Sequence, residues 1–189
     1  MNVVGVDPGL TGGIVVVSDG DIKAMYVMPV IEIKKKKRRA IKKGDDDPEN
    51  RKTESYIANV KELDFAKLHR IFKEIAELNI SKVFIEKVST RPGEGVASSF
   101  TFGICFGAII ATVACSKLRY ELVTPNVWTR KMLDGISKNI TNKDRSKVAA
   151  SRCFDIDDFV LTGCRKPHSG LVDSALIALY GYNKEIDSV

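Results

Sequence analysis

Residues Asn2 to Val6 form a short β-branched run that ends at Asp7. A Pro-Gly turn follows, and Gly13 to Val17 is a second run, so the chain opens as a predicted hairpin. Ile22 to Val27 reads as a third strand. Three antiparallel strands in place of strand-helix-strand argue against a nucleotide-binding doubly wound fold. Further on, Leu63, Phe65, Ala66, Leu68, Ile71, Phe72, Ile75, Ala76 and Leu78 fall at helical spacings, and Ile80 to Ile85 then reads as a strand ending at Glu86. Val96 to Leu118 has helical length and little charge, and Tyr120 to Val123 is a short strand. Pro125 with Asn126 opens a helix running through Met132, and two more helices are predicted over Asp144 to Phe154 and Leu171 to Tyr182.

One stretch breaks this patterning. Lys34 to Lys43 reads KKKKRRAIKK and Gly44 to Arg51 reads GDDDPENR, a basic block followed by an acidic one with hardly an apolar residue. Residues 31–60 are therefore expected to form a charged, mobile excursion from a single domain spanning 1–189. Two readings compete for it: a segment that grasps DNA or directs nuclear targeting, and a solvated loop whose halves partly neutralise each other.

Composition adds a modest constraint. The 189 residues are 44% apolar and 29% charged, which suits one globular domain with a sizeable core. Thirty Lys and Arg against twenty-four Asp and Glu give a net charge of +6, which favours a polyanionic partner without singling one out. Cys105, Cys115, Cys153 and Cys164 show no paired C-x-x-C spacing, and the first two lie in an apolar stretch, so buried free thiols are expected. The start MNVVGVD has no signal-like character, and the apolar stretch from Phe100 to Ala114 is interrupted by polar and glycine residues. An intracellular, reducing compartment with no membrane span is the expectation.

Three carboxylates lie at the edges of apolar elements: Asp7 at the end of the first strand, Glu86 at the end of a later one, and Asp173 early in the last helix. Alone, each reads as a helix cap or a lysine partner. Together they suggest a set of hard oxygen ligands of the kind that shares divalent cations with a scissile phosphate.

The chain resembles the RuvC-like Holliday junction resolvases of the ribonuclease H-like (retroviral integrase) superfamily, most of all those of phages, large DNA viruses and chloroplasts. The resemblance rests on VGVDPGLTGG at Val4 to Gly13, FIEKV at Phe84 to Val88, and RPGEGVASSFTFGICFGAI at Arg91 to Ile109. It continues through TPNVW at Thr124 to Trp128 and HSGLVDSALIALYGY at His168 to Tyr182. These segments occur in family order and span nearly the whole chain outside the charged excursion. The resemblance implies a mixed five-stranded sheet flanked by helices. It also implies two Mg²⁺ ions per site, with Mn²⁺ as substitute, bound by Asp7, Glu86 and Asp173, and a homodimer making paired cuts in a four-way junction.

Two positions depart from the family pattern. Where bacterial members carry an acid or histidine three residues before the last aspartate, this chain has Gly170, and His168 is the expected substitute as metal ligand or general base. The structural alternative for His168 is a solvent-facing or helix-capping residue. Where the family often has a lysine after the tryptophan, this chain has Thr129, so Arg130 or Lys131 is expected to take over, with Lys143, Arg145 and Lys147 as further DNA contacts. Arg91 is expected to meet phosphate and Phe100 to stack on an unpaired base in a loop beside the site. Gly103, Gly107 and Ala111 make a small-residue face suited to self-association, against the alternative of packing on the chain's own sheet.

The DPGLTGG turn also resembles the phosphate loop of actin-like sugar kinases, but 189 residues leave no room for the second lobe such proteins need. A YqgF-like nuclease acting on RNA shares the first strand and aspartate. A protein that binds branched DNA without cutting it is the remaining alternative.

Overall fold

The computed structural model describes residues 1–40, 53–87, 89, 93 and 95–188. A five-stranded sheet forms its centre, built from β1 (Asn2–Asp7), β2 (Gly13–Ser18), β3 (Asp21–Val27), β6 (Ile80–Glu86) and β7 (Tyr120–Val123) in the order β3-β2-β1-β6-β7. The first three strands are antiparallel, whereas β6 and β7 run parallel to β1. This is the mixed sheet expected from the sequence.

Both faces of the sheet are covered, which is why β1 and β2 read as continuous apolar runs rather than alternating ones. Val4, Val6, Ile14, Val16, Val83 and Ile85 face α1 (Phe65–Ala76) and α2 (Val96–Cys115), meeting Leu68, Phe72, Ile75, Cys105 and Ile109. Val3, Val15, Val17 and Phe84 face the other way, toward α3 (Pro125–Met132), α4 (Asn142–Ala150) and above all α5 (Ser169–Ile186). Helix α5 lies directly on β1. A Cβ at Gly5 would collide with the Ser174 carbonyl and the Ala178 backbone, and one at Gly181 with the Phe84 ring, so both glycines are needed for this approach.

The charged segment departs from its expectation. In its described part it forms a two-stranded antiparallel ribbon, where no regular element was expected, of β4 (Val30–Ala40) and β5 (Thr53–Leu63), in continuous register from Val30 opposite Leu63 to Ala40 opposite Thr53. Residues 41–52 lie outside the described residues. The ribbon is anchored where Met28 and Leu63 enter the core and the Asp64 N–H donates to the Pro29 carbonyl at 2.9 Å. Its shaft is largely exposed, so it needs no apolar alternation and leaves none for sequence reading to find.

Smaller corrections follow the same logic. Thr141 caps α4 by accepting from the Asp144 N–H, starting that helix earlier than expected, and the chain after Ala150 runs through a 3₁₀ turn at Ile156–Phe159 instead of further helix. The thiols are free, but only Cys105 is buried; Cys115, Cys153 and Cys164 are exposed. Among the described residues α2 alone is long and apolar enough to cross a membrane by length and composition, while its Cys105, Ile109 and Val113 edge packs into the core.

Candidate functional site

The C-terminal edge of the parallel strands gathers the candidate chemistry. Asp7 ends β1, and its N–H donates to Ser174 Oγ at 3.1 Å while the Ser174 hydroxyl donates to the Gly170 carbonyl at 2.6 Å. Ser174, fully buried, thus ties the end of β1 to the first turns of α5. The Pro-Gly turn then folds back, with the Gly12 N–H donating to the Gly9 carbonyl at 2.8 Å and the Gly9 N–H to Asp7 Oδ1 at 3.2 Å. Burial pushes the Asp7 carboxyl above its ordinary range, and the Gly9 N–H only partly offsets this.

Asp173, one residue before Ser174 on α5, comes close enough to Asp7 for the two charges to repel. Its carboxyl is pushed up to about 6, first by burial and then by that repulsion, against the opposing pull of the Ser146 hydroxyl and the Lys143 ammonium. Asp173 Oδ1 is buried without a hydrogen-bond partner among the described residues. A buried unpartnered carboxylate oxygen is costly unless something else satisfies it.

Glu86 stands on the same edge, one strand across. Val6 pairs with Ile85, which places the ends of β1 and β6 side by side, and Glu86 pairs with Val123 of β7. The Trp128 indole N–H donates to Glu86 Oε1 at 2.9 Å, and this tryptophan is only 3% exposed. An otherwise apolar side chain is thereby held with its one polar atom on the carboxylate.

These donors fit a hard divalent cation chemically: all are carboxylate oxygens, one is buried and unpartnered, and the Asp7 charge opposes the ionisation of Asp173 in a way a cation would relieve. Among the described residues, however, no three His, Cys, Asp or Glu side chains already stand as a metal-holding group. Asp7 and Asp173 converge; Glu86 is beside them and engaged by Trp128.

His168 takes the helix-capping place that was the alternative to ligation. It is the N-cap of α5, its Nδ1 accepting from the Leu171 N–H at 3.2 Å, and its backbone N–H donates to the Phe159 carbonyl at 2.8 Å. Burial lowers its pKa, which keeps the ring neutral and its Nδ1 lone pair available for the cap. With Nδ1 committed, the remaining nitrogen carries the proton and is a donor, so ligation or base catalysis by His168 would cost the helix its cap. Gly170 cannot be replaced by a ligand either. A Cβ there would collide with the Thr11 carbonyl and with Gly12, because the β1–β2 turn packs directly on the start of α5.

The expected DNA contacts divide. Arg91 lies outside the described residues. Phe100 is 70% exposed, but in the first turns of α2 rather than in a loop. Arg130 and Lys131 are exposed at the end of α3, and Lys131 Nζ lies 5.7 Å from the centre of the Tyr180 ring. Thr129 bonds back to the Pro125 carbonyl at 2.7 Å and takes on no part of a lysine's role. Lys143 is exposed and faces the Asp173 charge. Arg145 and Lys147 make contacts within the fold: the Arg145 guanidinium donates to the Leu133 carbonyl and Asn142 Oδ1 at 3.4 and 3.3 Å, and Lys147 pairs with Asp144 at 2.9 Å.

Gly103, Gly107 and Ala111 are exposed on α2, and among the described residues nothing comes within 4 Å of a Cβ built at either glycine. Packing of this face on the chain's own sheet does not occur. Sequence reading missed Ser146, Ser174 and the Trp128–Glu86 bond. Only Trp128 left a trace, as the sole tryptophan of the chain on a short helix opened by proline.

No family model matches the chain, and no curated protein sequence does. Its structure is similar to that of RuvC from Thermus thermophilus, at a TM-score of 0.54 with 18% identity over 99% of this chain and 97% of that one. It is also similar to T. thermophilus RuvC in complex with a Holliday junction substrate, at a TM-score of 0.55 with 13% identity over 100% of this chain and 98% of that one. The fold is therefore the ribonuclease H-like α/β fold of RuvC.

Proposed function

We propose that this chain is a structure-selective endodeoxyribonuclease that resolves four-way and related branched DNA as a homodimer, by paired Mg²⁺-dependent phosphodiester hydrolysis. The observation that carries the reading is the Asp7–Asp173 pair on a RuvC-type fold, with its buried, unpartnered carboxylate oxygen. Asp7, Asp173 and Glu86 would hold two Mg²⁺ ions, or Mn²⁺ in their place, which when bound supply water activation and charge neutralisation at the scissile phosphate.

The chain's own residues do the positioning. Ser174 fixes the backbone of Asp7, Trp128 orients Glu86, and Lys143 brings positive charge beside Asp173 where a phosphate would sit. The exposed small-residue face of α2, with Phe100, Ile104 and Gly107 along it, supports self-association through that helix. The exposed Phe100 ring would stack on a base opened at the branch point.

Asp7→Asn tests the assignment. Cutting of a four-way junction should fall below detection while junction binding stays within about 3-fold, since the basic surface is untouched. Equal loss of both would make Asp7 a structural residue. Cleavage of RNA in preference to junctions would place the chain with the YqgF-like nucleases, and binding without cutting by the unsubstituted protein would make it a branched-DNA-binding protein.

A further inference from the structure

The β4–β5 ribbon has two chemically different faces. Residues directly opposite each other in an antiparallel pair project to the same side, so the register sorts its side chains. On one side lie Lys34, Lys36 and Arg38, with Asn59, Ile57 and Ser55 opposite them; the acid on that side, Glu32, faces Lys61. On the other side Lys35 and Lys37 share a face with Glu62 and Glu54, and Lys35 forms an ion pair with Glu62. One face is uniformly cationic along its outer half, whereas on the other acids stand among the bases.

The cationic face is exposed along its described length: Glu32, Lys34, Lys36, Arg38, Ser55, Asn59 and Lys61 are exposed and Ile57 is 71% exposed. The second face is mixed, with Ile31, Lys35, Lys37, Glu54 and Tyr56 exposed but Ile33, Ala58, Val60 and Glu62 partly buried. Lysines on an exposed ribbon are commonly a guard against edge-to-edge aggregation. That role needs charge but not sidedness, and like charges repeated along one face repel each other.

The ribbon's root ties it to the site. The Met28 N–H donates to the Gly12 carbonyl at 3.1 Å, and Gly12 belongs to the turn that follows Asp7. Val27, the last residue of β3, pairs with Gly13, which pairs with Asp7. Each ribbon strand has 11 residues, a length of about 36 Å, close to the ~34–36 Å of one duplex turn. A pair of strands about 5 Å apart also enters the ~12 Å major groove of B-form DNA, but not the deep, narrow one of A-form RNA.

We infer that the Lys34–Lys36–Arg38 face of the ribbon is a second DNA-binding surface, which grips the phosphates of duplex DNA up to about one turn away from the Asp7–Asp173 site. It rests on the proposed DNA-directed function, but not on catalysis. Lys61 extends the face toward the root, and Ile57 gives it an apolar contact for a sugar or a thymine methyl.

Two triple- and double-substituted proteins test it, in the full chain carrying Asp7→Asn so that binding is read without cutting. One carries Lys34→Ala, Lys36→Ala and Arg38→Ala; the other carries Lys35→Ala and Lys37→Ala, removing two charges from the opposite face, so that losses are compared per charge removed. Binding to a fluorescent 30-base-pair duplex is titrated from low to moderate salt, with melting curves to confirm folding. The first protein should lose about 3 from the slope of log K against log salt, and at least 10-fold in affinity at moderate salt; the second should lose less than 1. Equal losses per charge in both, or none in the first, overturn the inference while leaving the nuclease assignment intact. A chain that binds duplex in this sided way but never cuts a junction removes catalysis and keeps the ribbon. Equal sided loss with an RNA duplex overturns its assignment to DNA.

Discussion

Replacing Asp173 by Asn should make the metal-free protein more stable, although it removes a residue of the proposed active site. In the fold the Asp173 carboxyl titrates at about 6 instead of 3.8, because burial and the Asp7 charge oppose its ionisation. The folded state therefore binds this proton more tightly than the unfolded state does. The stability associated with the protonated form is fully present below about pH 4 and is lost as pH rises through about 6. A shift of roughly 2 units corresponds to at most about 3 kcal/mol at neutral pH, and partial exposure reduces it to about 1–3 kcal/mol. An uncharged Asn escapes that cost, so the melting temperature should rise by about 3–9 °C at pH 7.5 in chelator. The difference between the two proteins should shrink toward zero near pH 4. Mg²⁺ should raise the melting temperature of the unsubstituted protein and leave Asp173→Asn nearly unchanged. Calorimetry or fluorescence-monitored melting across pH reads all of this. A substituted protein that is less stable at pH 7.5, or a difference that does not vary with pH, would refute the reasoning that Asp173 is a strained carboxylate awaiting a cation.

Other consequences can be checked in parallel. Trp128→Phe keeps the ring but removes the N–H held by Glu86, and should lower the single-turnover cutting rate about 10-fold with junction affinity unchanged; unchanged cutting would deny Trp128 its orienting role. His168→Asn retains a capping side chain and should keep near-normal melting and cutting, whereas His168→Ala should cost about 1 kcal/mol; loss of cutting in the Asn protein would return His168 to the catalytic set. Gly107→Leu has open space in the chain and should not lower the melting temperature of the protomer, yet it should convert the proposed dimer to a monomer in light scattering; a persisting dimer would place the interface elsewhere.

The parts of the fold that bury apolar surface were legible in the sequence, because burial imposes pattern. Strands β1, β2 and β6 appear as apolar runs ended by Asp7 or Glu86, and α1 as a stripe at helical spacing, since Leu68, Ile71, Phe72 and Ile75 all enter the core. The ribbon was not legible for the opposite reason. Its strands are held by cross-strand backbone bonds and by Met28 and Leu63 at the root, and Lys34 to Arg38 carry no pattern that separates a strand from a solvated loop. At the site, the positions of Asp7, Glu86 and Asp173 at element ends could be read, but their convergence is a property of how α5 crosses β1 at Gly5. His168 illustrates the limit. A histidine before a helix fits a ligand and a cap equally well until the Leu171 N–H is seen to occupy Nδ1. Arg145 and Lys147 likewise counted as basic residues in sequence, and only their contacts with Leu133 and Asp144 show that the fold already uses them.

The central claim is most directly tested by incubating the purified protein with an end-labelled four-way junction and a matched linear duplex, in Mg²⁺, in Mn²⁺ and in chelator. The account predicts paired, symmetric nicks in opposite strands of the junction alone, in either metal and not in chelator. Junction left intact in both metals, or equal nicking of the linear duplex, would contradict it.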